Sequence, residues 1–151
     1  MFVPVHGMAE FGANQAQELQ GGTGTDPNTS ADKGATTDEL VNMLFNVPFN
    51  ITIDAVKVFA STDQDTDCTL NYHLMSFDMV NDGTTNDGNL SNGTVLADGQ
   101  ATAVDRSVIK STDLTIQSSS VTSGKVIACF VENETNTDDI NIKVQVKYHI
   151  A

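Results

Sequence analysis

Residues 139–150 read DINIKVQVKYHI, and this stretch decides the fold class. Ile140, Ile142, Val144, Val146, Tyr148 and Ile150 occupy every second position, with Asn141, Lys143, Gln145, Lys147 and His149 between them. A period of two puts the six apolar groups on one face of a strand, whereas a helix would scatter them around its axis. At roughly 3.3 Å per residue the stretch runs on the order of 35 Å, the full length of a small sheet. A strand that long needs partners, and the rest of the chain must supply them.

Moving upstream, residues 125–132, KVIACFVE, form a nearly continuous apolar run, the pattern of a central strand covered on both faces. The polar turn at 133–138 leads from it into the last strand and predicts that the final two strands form a hairpin. Cys68, Leu70, Tyr72 and Leu74 alternate, after which Met75, Phe77 and Met79 cross to the other parity. The end of that strand is therefore apolar on both faces and needs a cover there. In residues 49–60, Phe49, Ile51 and Ile53 share one parity while Val56 and Val58 take the other. A bulge near Asp54-Ala55 would return both groups to one face.

Shorter strands are predicted around residues 94–97, 103–109 and 114–118, with Asn-Asp-Gly and Asn-Gly turns across 81–92. Residues 36–47 have capping-box spacing at Thr36 and Glu39, but Val41, Met43, Phe45 and Val47 alternate with polar residues ahead of Pro48. A strand is the better reading, because Asn is a poor helix former and the residue before proline avoids the helical region. About eight strands joined by Gly, Asn and Asp turns predict an all-β fold, an antiparallel β-sandwich of jelly-roll-like type.

The first 35 residues read differently. Phe2, Val3, Pro4 and Val5 lead into a weakly helical stretch, then into GGTGTDPNTS, where no periodicity survives. Such a segment buries too little apolar surface by itself to offset its ordering entropy. The organisation expected is an extended N-terminal arm over 1–35, ordered by neighbouring subunits, and a β-sandwich domain over 36–151.

Composition excludes several functions. The 151 residues suffice for one domain with its own core. Acidic residues outnumber basic ones 20 to 7, a formal charge of −13, which repels phosphate backbones and anionic headgroups, so neither nucleic acid nor membrane is an expected partner. The arm has no Lys or Arg before Lys33. The opening residues lack the basic leader and apolar run of a secretory signal, and no stretch approaches the ~20 apolar residues of a membrane helix, so synthesis in a cytoplasm is expected. Five Asn-x-Ser/Thr sequons, at Asn28, Asn50, Asn89, Asn92 and Asn133, follow from the abundance of Asn and Thr and require no glycan.

Candidate chemistry is sparse. Cys68 and Cys129 lie an immunoglobulin-like distance apart, but the Trp of that pattern is missing, and two free buried thiols are expected. Neither has the basic local company of an activated thiolate. His6, His73 and His149 show no metal-ligand spacing, and each is expected at the surface. Asp63, Asp65 and Asp67 alternate in a loop and could converge on Ca²⁺, but Cys68 stands where an EF-hand needs Gly and Leu74 where it needs Glu. A solvated acidic turn is the reading adopted, with no metal, no cofactor and no catalytic residue assigned.

Residues 49–61, 125–132 and the closing IKVQVKYHI resemble the strand segments of small structural proteins of tailed bacteriophages, especially head-decoration or cement proteins. The resemblance covers the sandwich from about Leu40 to Ala151 and is one of pattern. It implies a non-enzymatic virion protein on the capsid surface, commonly a homotrimer, whose partner is the major capsid protein. Phe2, Val3, Val5, Phe11 and Leu19 are the expected anchors of the arm. A tail, neck or fibre protein shares the same pattern. From another class, a carbohydrate-binding sandwich with structural calcium at Asp63, Asp65 and Asp67 is the alternative, although sparse aromatics and the lack of Trp leave little to stack on a sugar.

Overall fold

The structure is a computed structural model and describes residues 6–12, 17–19, 39–40, 45–63, 65, 67–79, 83, 90–133 and 138–151. Side chains are described for 45–63, 65, 67–79, 83, 92–131 and 140–151. The strands are β1 (His6–Gly12), β2 (Gln17–Leu19), β3 (Glu39–Leu40), β4 (Phe45–Asn46), β5 (Ile51–Thr62), β6 (Cys68–Met79), β7 (Leu90–Val104), β8 (Lys110–Asp113), β9 (Thr115–Ile116), β10 (Ser120–Val121), β11 (Val126–Asn133) and β12 (Asp138–Ile150). They form two antiparallel sheets. The first runs β1-β12-β5-β10, with β2 also on β12 and β8 also on β5; the second runs β3-β11-β6-β7-β9, with β4 also on β11.

The last strand behaves as its alternation predicts. Ile140, Ile142, Val144 and Val146 are buried, while Asn141, Lys143 and Lys147 are exposed. Their buried face meets Ile127, Cys129 and Val131 of β11 and Leu70, Tyr72 and Leu74 of β6 in one core between the sheets. This is an all-β antiparallel sandwich, with consecutive strands repeatedly changing sheets.

The bulge lies where the parity switch puts it. Opposite β12, Tyr148 pairs with Ile53 and Lys147 with Ala55, which leaves Asp54 as one extra residue in β5. Ile51 and Ile53 before it, and Val56, Val58 and Ala60 after it, all face the core. Lys57, Phe59 and Ser61 are thereby turned to the outer face of the first sheet.

β11 is a central strand covered on both sides, as its apolar run requires. Ile127, Cys129 and Val131 enter the main core, whereas Val126, Ala128 and Phe130 join Met75 and Phe77 in a second buried cluster on the other face. Phe77 meets Phe130 edge-on with ring centroids 5.8 Å apart. Gly93 is needed here, because a Cβ at that position would lie 2.8 Å from the Phe77 ring.

Three expectations are corrected. The final two strands do not form a hairpin: β11 pairs with β6 and β12 with β5, in different sheets. Alternation reports which face is buried, and two strands can bury their faces on one core from opposite sides as well as side by side. The strand expected at 103–109 is the end of β7 followed by a loop. In that loop the Asp105 carboxylate accepts hydrogen bonds from Ser107 N (2.7 Å), Ser107 Oγ (2.6 Å) and Val108 N (3.0 Å), an arrangement that competes with a ladder. His73, expected at the surface, is buried, because the face it shares with Phe130 is covered.

Parts of the expected arm are described. Residues His6–Gly12 are an edge strand on β12 of the same chain, His6 opposite His149 and Gly12 opposite Lys143, and Gln17–Leu19 continue along β12 to Asp138. Main-chain pairing needs no apolar periodicity, so this part of the expected arm belongs to the chain's own sheet. Phe11 lies in β1 and Leu19 in β2; Phe2, Val3 and Val5 lie outside the described residues. Residues 36–47, read as a strand, contribute β3 and β4 to the β11 edge.

Candidate functional site

The extra residue in β5 builds the main surface feature. Because Asp54 shifts the parity, Phe59 and Ser61 project outward next to Asn141, Lys143 and Gln145, their cross-strand neighbours on β12. Phe59 stands opposite Lys143, and Ser61 opposite Asn141. Ile109, 72% exposed, closes one side from the 105–109 loop. These residues line a groove of about 370 Å³ on the outer face of the first sheet.

The loop that carries Ile109 is held by its own carboxylate. The three donors that converge on Asp105, the Ser107 hydroxyl first among them, keep its carboxyl below the usual carboxylate range. The Asp105 carbonyl also accepts from Thr62 N at 3.3 Å, which ties the loop to the end of β5. Elsewhere on this face Lys57 Nζ meets Asp113 at 3.1 Å, and His149 Nδ1 lies 2.9 Å from Asp54. On the second sheet Asp78 accepts from Lys125 Nζ and Asn92 Nδ2, both at 2.8 Å, and the Lys125 contact first, then Asn92, lowers its carboxyl pKa.

The three aspartates of the acidic turn do not form a centre. Asp65 pairs with Arg106, while Asp63 and Asp67 are exposed. Among the described residues no three His, Cys, Asp or Glu side chains gather as a metal site. The thiols are free and buried, and both lie in the second sheet, so the inter-sheet position of an immunoglobulin disulfide does not apply. Cys129 stands opposite Leu74, six residues along β6 from Cys68, roughly 20 Å of strand and far outside bonding reach. Burial pushes the Cys129 thiol up to about 12, and its Sγ makes only a weak contact with the Phe130 carbonyl at 3.6 Å. The Tyr72 hydroxyl is also buried, and its pKa is raised by desolvation and by the two nearby sulfurs. Cys129 is kept as the thiol, not the nucleophilic thiolate, at neutral pH.

Sequence reasoning placed the bulge but did not follow it to Phe59. The signal was present, since the same parity shift that turns Val56 and Val58 inward turns Phe59 outward. Ile109 had no such signal, because its position depends on a loop closed by the Asp105 side chain.

No family model matches the chain, and no curated protein matches it. Among solved structures it is similar to an aminopeptidase from a marine sediment archaeon, Thaumarchaeota archaeon, with a TM-score of 0.46 and 10% identity over 95% of this chain and 31% of the other. It is also similar to the Clostridium thermocellum xylanase 10B modules CBM22-1 and GH10, solved with xylohexaose, with a TM-score of 0.36 and 12% identity over 96% of this chain and 26% of the other. The chain thus spans less than a third of the length of either.

Proposed function

We propose that this chain is a non-enzymatic structural protein of a virion, a decoration protein that binds the head surface of a tailed phage and braces adjacent capsomers. The observation that carries the reading is how the side chains are used. The groups best suited to chemistry are engaged in structure: Cys68 and Cys129 are buried, His149 holds Asp54, and Asp105 closes its own loop. Several apolar side chains, by contrast, face outward. Phe49 is 58% and Ile150 40% exposed, and the Ala151 N to Asn50 O bond of 2.9 Å ties the ends of their two strands together. Val108 and Ile109 stand out from the 105–109 loop. Such residues serve contact with another surface.

The main chain adds to this. Among the described residues β1 ends the first sheet, and an edge strand can accept a neighbour's backbone in the same ladder. A homotrimer joined through such edges and apolar patches, with the major capsid protein as partner, is the proposed assembly. The charge of −13 keeps its outer surface away from free nucleic acid.

Banding virions from the source on a density gradient and identifying peptides across the fractions tests the proposal. The expected result is this chain in the particle band at a fixed ratio to the major shell protein. Its absence from intact particles would overturn the reading, and its presence in isolated tails alone would move it to the tail.

A further inference from the structure

We infer that His6 and His149, placed opposite one another where β1 pairs with β12, bind a divalent transition-metal ion of the zinc class, and that the ion clasps β1 onto the final strand. This does not depend on the virion reading.

The topology makes the pairing. The two histidines come from opposite ends of the chain, and the β1–β12 register, which runs unbroken from His6 to Gly12, sets them directly across from each other. Directly opposed residues of an antiparallel pair share a face with Cβ atoms about 4.5–5.5 Å apart, a spacing from which two imidazoles can reach one ion at Zn–N distances of about 2.0–2.1 Å. On β12 that face is the outer one, because His149 keeps the parity of exposed Lys143 and Lys147 against that of buried Val144 and Val146.

Asp54 prepares one of the two ligands. Its Oδ1 lies 2.9 Å from His149 Nδ1. An ionised carboxylate only accepts, so the hydrogen of the neutral ring sits on Nδ1 and the lone pair on Nε2. A carboxylate behind an imidazole in this way fixes the ring and raises its basicity, the usual support of a metal-ligating histidine. His149 and Asp54 have described side chains, and register places His6 as the third member of the group. Any hydrogen bond made by a ligating nitrogen is exchanged for the metal, with release of a proton where the ring was charged.

Chemistry selects the ion. Imidazole nitrogen suits Zn²⁺, Cu²⁺ and Ni²⁺, whereas Ca²⁺ and Mg²⁺ prefer sets of oxygens. The formal charge of −13 attracts cations to the molecule, and Glu10, opposite Gln145, adds a carboxylate farther along the same face of β1. Lys147, two residues from His149, is the nearest cation on β12 and is exposed. The remaining nitrogen and sulfur ligands are withdrawn from competition, since His73, Cys68 and Cys129 are all buried in the second sheet.

The test uses the full-length chain without a polyhistidine tag, titrated calorimetrically with zinc chloride and, as control, calcium chloride. One zinc per chain is expected, and no calcium at the same concentrations. His6→Ala and His149→Ala should each weaken zinc binding at least tenfold, and Asp54→Asn about tenfold. In EDTA the melting temperature of His6→Ala should match wild type, so this variant decides the matter even if His149→Ala disturbs the bulge. Amide hydrogen exchange across residues 6–12 should slow when zinc is added to wild type and stay unchanged in His6→Ala. Absence of zinc binding, equal binding of calcium, zinc binding undiminished in His6→Ala, or binding that leaves exchange in β1 unaltered would each overturn the inference.

Discussion

His149 Nδ1 lies 2.9 Å from Asp54 Oδ1, so the extra residue in β5 is held by a side chain from the final strand. The contact sits at the point where the two strands change register, between Lys147 and Tyr148. A bulge is kept where its extra residue has a partner, and this one sets the facing of every later residue in β5.

The pair and the residue behave differently when removed. Asp54→Ala and His149→Ala are each expected to lower stability by about 0.5–1 kcal/mol, because the pair is partly exposed and screened by solvent. Deleting Asp54 outright would turn Lys57, Phe59 and Ser61 inward and expose Val56, Val58 and Ala60. Urea unfolding should show cooperative transitions for both substitutions and none for the deletion; a stably folded deletion variant would refute the role given to the bulge.

A second irregularity can be read from β7. Opposite β6, Val104 pairs with Cys68 and Ala101 with Leu70, so β7 carries one extra residue there, and Ala103 has a φ of +52°. A β-branched residue is strongly disfavoured in that region. Ala103→Val should therefore destabilise by about 1–2 kcal/mol, while Ala103→Gly, which trades relief of the backbone against unfolded-state entropy, should lie within about 1 kcal/mol of wild type. Chemical denaturation of the two variants side by side checks the order.

The second buried cluster has little room. Gly93→Ala places a methyl 2.8 Å from the Phe77 ring, which itself packs on Phe130. Overpacking of this kind costs typically 1–3 kcal/mol, and Phe130→Ala, which removes a fully buried ring, about 3–5 kcal/mol. Equal stability of wild type and Gly93→Ala would show that Phe77 yields freely.

Acid should weaken the fold partly through Asp78. Its carboxyl pKa is lowered in the folded state by Lys125 and Asn92, so the stabilisation is full above the ordinary value of 3.8 and is lost as pH falls through the lower folded value. Comparing wild type with Asp78→Asn in thermal melts, the gap in melting temperature should be widest at neutral pH and should shrink as pH is taken below the ordinary carboxylate value of 3.8. A gap independent of pH would assign the effect to packing.

The thiols offer a direct probe of the core. With Cys68 and Cys129 both buried and Cys129 held protonated, a maleimide should label neither in the native protein at pH 7 and both in denaturant. Rapid native labelling would mean that the second sheet opens readily.

Alternation in β12, the doubly apolar run of β11 and the parity switch at Asp54 were legible because each is a local record of which side chains face water. That record was enough for the sandwich, its core residues and its free thiols. Pairing was not recorded there: the last two strands separated into different sheets, and His6–Gly12 joined β12, since main-chain hydrogen bonds form without regard to side-chain pattern. The groove belongs to the same class of fact. Phe59, Lys143 and Ile109 are far apart in sequence, and only the packing of β5 against β12, with the Asp105 loop folded over their end, brings them to one surface.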